Sequence, residues 1–177
     1  MANREALREL QSRLATRLQA ARTEGVRLSW LAVEAAGRHY LFPLHQSGEI
    51  FPWESAHPVP YTQPWFLGVA NLRGSLFGVI ELSGFVDHAV DAVRPVDEAR
   101  PDHYLVALNA ALEVNCALLV ERLVGLKSVD SFATSAAPKD ADPPYFGNLY
   151  SDSNGQGWQE INLQSLSQLP RFLSISA

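Results

Sequence analysis

The sequence predicts a mainly β fold with a helix at each end, on three observations. Beyond Gly25 the chain breaks into short apolar runs separated by turn residues, the pattern of paired strands. Between Leu112 and Glu121, Leu112, Val114, Cys116, Leu118 and Val120 alternate with Glu113, Asn115, Ala117, Leu119 and Glu121, which is strand periodicity. Ahead of both, Leu7, Leu10, Leu14 and Leu18, continued by Ala21, recur at helical spacing among arginines, glutamates and glutamines.

That leucine stripe predicts an amphipathic helix over Arg4 to Arg22, with Glu9 four residues ahead of Arg13 and Gly25 as a left-handed stop. Residues 1–27 carry a net charge of +3 and the remainder −8, so residues 1–26 are read as an appendage on a domain spanning 27–170, with 171–177 as a tail. Two fates are open to the stripe: packing back on the β domain, or presentation to a partner's groove. Strands are expected at Arg27 to Glu34 and His39 to Pro43, joined by a turn at Ala35-Ala36-Gly37-Arg38. A second hairpin is expected from Leu67 to Leu72 and Leu76 to Leu82, where Gly74 gives the connection freedom to turn. The alternating strand at 112–121 pairs with Tyr104 to Asn109, and further strands follow at Val124 to Val129 and Trp158 to Ile161. Asn162 caps a short C-terminal helix that buries Leu163, Leu166 and Leu169 before Pro170. The acidic stretch from Asp87 to His103 and the Pro, Gly, Ser and Asp-rich stretch from Ser135 to Gly157 read as surface loops. The count is nine or ten strands.

Length and composition narrow the function. One domain fits 177 residues, and 47% hydrophobic residues against 19% charged supply a core. A net charge of −5 repels phosphate backbones, so no nucleic-acid partner is expected. The single cysteine, Cys116, closes no internal disulfide, and the chain reads as reduced and cytosolic. No apolar run is long enough to span a bilayer, so no direct membrane insertion is expected, and the first 25 residues lack the apolar core of a signal peptide. The histidines His39, His45, His57, His88 and His103 fall in neither HxH nor HExxH spacing, so no metal or other cofactor is expected. The run from Asp152 to Gly157 opens like a calcium loop, but its twelfth position is Leu163 where a bidentate glutamate is required. Cys116 lies in phase with apolar neighbours as a small core residue, and no GxSxG elbow exists, so no catalytic residue is assigned.

The informative segment is Pro64-Trp65-Phe66-Leu67-Gly68-Val69-Ala70-Asn71-Leu72-Arg73-Gly74, followed by Ser75-Leu76-Phe77-Gly78-Val79-Ile80-Glu81-Leu82. It closely resembles the signature of the CheW-like coupling proteins: a Gly-Val-x-Asn-Leu-Arg-Gly core, then an apolar strand ending in an acidic residue and leucine. The resemblance extends back through His39-Tyr40 to Glu49-Ile50, forward to Tyr104 through Leu108 and Val120 through Gly125, and covers about residues 27–170. Gly78 and Glu81 stand where Pro and Asp are common, and Ser47-Gly48 interrupt a helical turn that usually offers an apolar residue to a receptor. The arginine-rich N-terminal extension and the Trp-rich core resemble the PilI subfamily of twitching motility.

The resemblance implies two five-stranded SH3-like β-barrels sharing a core. It also implies a non-enzymatic adaptor coupling the cytoplasmic tip of a methyl-accepting chemoreceptor to a CheA-type histidine kinase, in the cytoplasm at membrane-associated receptor arrays. Type IV pilus twitching is the expected output, with flagellar chemotaxis as the alternative. Carried over by position, the partner surface comprises Arg73, Leu44, Ser47, Glu49, Asn71 and Gly74. The residues alone allow two readings of Arg73: a five-donor fork presented to a partner, or a side chain that pins its own loop. Glu49 alternatively reads as a solvated helix residue and Leu44 as ordinary core. A rival of another class, a small barrel enzyme or ligand-binding domain, would gather Asp87, His88, Asp102 and His103 into a pocket.

Overall fold

A computed structural model describes residues 29–87 and 102–177. The expected N-terminal helix and His88 lie outside the described residues.

Eleven strands are present among the described residues, in two mixed sheets. They are β1 (Ser29–Ala35), β2 (Arg38–Pro43), β3 (Ser47–Pro52), β4 (Phe66–Leu72), β5 (Ser75–Glu81), β6 (Tyr104–Leu108), β7 (Cys116–Val120), β8 (Arg122–Ser128), β9 (Thr134–Ala136), β10 (Phe146–Ser151) and β11 (Gly157–Ile161). One sheet has six strands in the order β8-β1-β2-β11-β10-β9, the other five in the order β3-β6-β7-β5-β4. Each contains a single parallel pair, β2 with β11 and β5 with β7. Three short helices complete the described fold: α1 (Leu82–Val86), α2 (Leu163–Ser167) and α3 (Pro170–Leu173).

Alternation along the strands explains why several read as apolar on both faces. In β1, Leu31, Val33 and Ala35 enter a central core, while Trp30 and Ala32 enter a second cluster with Leu41, Tyr150 and Trp158. In β6, Val106 and Leu108 face the central core, whereas Leu105 and Ala107 join Trp53, Leu67, Ala70, Val79, Ala117 and Leu119 in a third. Both sheets therefore contribute one face to the central core and keep a private cluster on the other. At about 25 cal/mol per Å2 of apolar surface removed from water, such double burial is the main stabilising term.

Several expectations change. The strand expected over 112–121 is β7 alone, because the Asn109 side chain accepts a hydrogen bond from the Ala111 N–H and starts a 3-10 turn at Ala110–Leu112. Glu113 then takes φ 58°, which breaks the alternation before Cys116. Leu82 opens α1 instead of ending β5. The loop expected at 135–157 contains β10 and most of β9; a bulge between Phe146 and Leu149 blurs the period of β10, and β9 is only three exposed residues long. The helical turn expected around residues 44–49 is a turn leading into β3. Residues 171–177, expected as a tail, carry the buried Phe172 into the central core, and the Gln63 and Ala177 N–H groups donate to the Ile175 and Tyr61 carbonyls. Asn162 does cap α2, its side chain accepting from the Ser165 N–H, and Pro170 opens α3 instead of ending the helical region.

Candidate functional site

The site grows from a two-residue hairpin. Leu72 and Ser75 are partners at the end of the β4–β5 ladder, leaving Arg73 and Gly74 as the whole turn. Both take positive φ, 50° and 84°, the pairing that matches the twist of the flanking strands. Gly74 adopts this at little cost, but Arg73 pays a steric penalty of about 1 kcal/mol that Gly or Asn would avoid. The Asn71 side chain accepts the Gly74 N–H at 2.8 Å and locks the tip. The result is an arginine whose side chain is 76% exposed, projected from a rigid corner.

Opposite stands β3. Its register with β6 shifts between Ser47 and Ile50, and Gly48 sits at that irregularity with its Cα against backbone: a Cβ there would lie 2.8 Å from the Leu108 carbonyl oxygen. The bulge re-aims the strand so that Glu49 Oε1 meets Arg73 Nη1 at 2.5 Å, while the guanidinium lies 5.9 Å from the centre of the Phe51 ring. β3 and β4 occupy opposite edges of the five-stranded sheet. In a flat sheet they would stand about 19 Å apart. Contact between Arg73 and Glu49 therefore means that the sheet is strongly curled, with the Leu105–Leu119 cluster inside the curl.

Two shallow depressions flank the arginine. One, of 310 Å3, is lined by Glu54, Ser55, His57, Ala70 and Asn71 among others, and the second, of 390 Å3, by Gly48, Glu49, Ser75, Phe77 and Asn109 among others. Phe51, Leu72 and Arg73 form the ridge shared by both. An exposed cation on an apolar ridge between two hollows suits a partner bearing carboxylates and apolar knobs.

Of the six residues expected at a partner surface, Arg73, Glu49, Asn71 and Gly74 converge here. Leu44 lies in the turn before β3, 43% exposed, its N–H donating to the Ser29 carbonyl. Ser47 is buried, and its hydroxyl donates to the Pro43 carbonyl at 3.1 Å, a structural task. That turn is held by the buried Gln46, whose Oε1 accepts the Leu163 N–H at 2.7 Å at the start of α2. Phe51, which no local sequence pattern singles out, becomes part of the ridge only through the curl.

The described members of the rival grouping have separate roles. Asp87 accepts a 2.7 Å ion pair from Arg38, Asp102 is exposed, and the His103 carbonyl accepts the Trp53 N–H. Burial pushes the Cys116 thiol up to about 11, so it is protonated and a poor nucleophile at neutral pH. Among the described residues no group of three His, Cys, Asp or Glu could hold a metal ion, and no helix is long and apolar enough to cross a membrane.

Two mixed sheets around a shared core, the five-stranded one curled and carrying an Asn-Leu-Arg-Gly hairpin at its edge, mark the class of CheW-like proteins, and residues 29–170 match the CheW-like domain. The chain belongs to that family, whose members are scaffolds and not enzymes. It is 26% identical to Protein PilI of Pseudomonas aeruginosa over 167 residues, covering 93% of this chain and 89% of that one. Its fold is similar to the crystal structure of the scaffolding protein TtCheW from Thermoanaerobacter tengcongensis, with a TM-score of 0.59 at 15% identity, covering 77% of this chain and 89% of that one.

Proposed function

We propose that this protein is an adaptor that holds the cytoplasmic tip of a methyl-accepting chemoreceptor and a CheA-type histidine kinase in one complex. It makes or breaks no bond. Simultaneous docking raises the effective concentration of kinase at the receptor, so receptor conformation biases kinase activity. The pathway is a chemosensory system controlling type IV pilus twitching, a reading supported by the likeness to PilI along nearly the whole chain. In this reading the protein works in the cytoplasm, recruited to receptor arrays at the membrane, and each curled sheet is an SH3-like barrel.

The observation that carries the proposal is Arg73: an arginine held at positive φ at a two-residue turn, on a ridge between two hollows. The turn does not require arginine, so its side chain supplies the reason. Arg73, Glu49, Asn71, Gly74 and the exposed Leu44 form the receptor-facing surface, with Ser47 supporting Leu44 from below.

Co-purification of the full chain with a receptor-tip fragment and with the kinase regulatory domain, singly and together, tests this. A ternary complex is expected. A folded protein that captures neither partner alone nor both together overturns the adaptor reading, and restoration of swimming instead of twitching in a deletion strain assigns it to the flagellar pathway.

A further inference from the structure

Among the described residues one apolar row is left exposed. Within them β8 is an edge strand, paired in its sheet with β1 alone. Leu126 stands opposite Leu31, and directly opposed residues share a face, so Leu126 lies on the face that Leu31 gives to the central core. It is nevertheless 70% exposed. Across β1, the Leu44 N–H donates to the Ser29 carbonyl and continues the β1–β2 ladder, where Trp30 opposes Pro43. Ser29 is two residues from Leu31, so alternation puts Leu44 on that same face. Leu44 and Leu126 thus flank β1, about 10 Å apart across the strands and about 7 Å along them. An exposed leucine on an edge strand invites pairing with other chains unless it is covered.

We infer that the row is covered by the chain's own N-terminal segment, the stripe of Leu7, Leu10, Leu14, Leu18 and Ala21 lying across Leu44 and Leu126. Three facts point to this occupant. The segment joins the described fold at Ser29, which pairs with Ser128 on one side and meets Leu44 on the other, so it emerges inside the patch. Seven residues separate Ala21 from Ser29 and reach about 25 Å when extended, enough to turn the stripe back over β1 and β8. Residues 1–27 carry +3 against −8 in the remainder, so the segment is drawn to its own domain. Because Leu44 also belongs to the proposed receptor surface, the docked segment competes with a receptor tip; this consequence rests on the receptor reading, whereas the docking does not.

Trypsin cleavage after Arg17, followed by mass spectrometry on the full-length chain, reads the docking directly. Leu126→Asp and Leu14→Asp, each in the full chain, are expected to speed that cleavage about ten-fold, and the double variant no further, since both open the same contact. Leu173→Asp, an exposed change on α3, is expected to leave the rate unaltered. Equal rates in wild type, Leu126→Asp and Leu14→Asp overturn the inference. So does protection that grows with protein concentration, which would put the segment on a second copy. In a receptor-tip titration, Leu14→Asp is expected to bind several-fold more tightly. Faster cleavage with unchanged receptor affinity supports the docking and removes Leu44 from the receptor surface.

Discussion

The molecule builds the same two-residue turn twice. Ala36-Gly37 joins β1 to β2 with φ values of 49° and 70°, and Arg73-Gly74 joins β4 to β5 with 50° and 84°. In both, the second residue is a glycine at which an added Cβ would meet nothing within 4 Å. The first is a minimal alanine in one turn and a long cation in the other. Among the described residues only the second turn has a side-chain brace, from Asn71, and only its first residue reaches another strand, at Glu49 and Phe51. Backbone demands being equal, the difference lies in what the tip presents: the first turn closes a hairpin, the second displays a contact.

The sharpest break of this comparison is charge reversal. Arg73→Glu is expected to weaken receptor-tip binding by about 2 kcal/mol or more, roughly 30-fold, in calorimetry, with little change in Tm. Ala36→Glu should leave that affinity untouched. An Arg73→Glu variant that binds normally would remove the functional distinction between the turns.

Next come the glycines. With no neighbour to strike, Gly37→Val and Gly74→Val should each cost about 1–2 kcal/mol in urea denaturation, purely from the backbone. Similar losses would confirm equivalent turns; a loss confined to one would show that the tips differ in strain and not merely in display.

Asn71→Ala removes the brace that the first hairpin lacks and is expected to cost about 1 kcal/mol of stability. Arg73→Asn should gain about 0.5 kcal/mol, because asparagine tolerates left-handed backbone, while losing receptor binding. Opposite signs in stability and affinity would mark Arg73 as a residue kept for its contact.

Smallest is Glu49→Gln. An ion pair this exposed contributes on the order of 0.5 kcal/mol, so Tm should scarcely move and should become less salt-dependent. A large loss would mean that the pair holds the curled edges together.

Much of this was legible in order. The hairpins at Ala36-Gly37 and Arg73-Gly74, the β6–β7 pairing and the Asn162 cap each follow from residues close in sequence acting on their own backbone. The exceptions share a cause. β10 was hidden because a bulge suspends its period of two, β9 because three exposed residues show no pattern, and β7 started late because a side-chain cap at Asn109 outcompeted extension. Phe172 read as tail because four helical residues give too short a pattern to reveal a buried face.

The candidate site divides along the same line. Asn71, Arg73 and Gly74 were identifiable as one motif, but Glu49 reaches Arg73 through a bulge at Gly48, and Phe51 joins the ridge through the meeting of two sheet edges.

By itself, the sequence determined the mainly β class, the two tight hairpins and the family signature, since these depend on side-chain volume, hydrogen bonding and torsional preference within a few residues. Tertiary structure alone decided which edges of the five-stranded sheet met, and hence which carboxylate faced Arg73. Sheet curvature is the sum of small twists over many strand pairs, and no short window of residues encodes a sum.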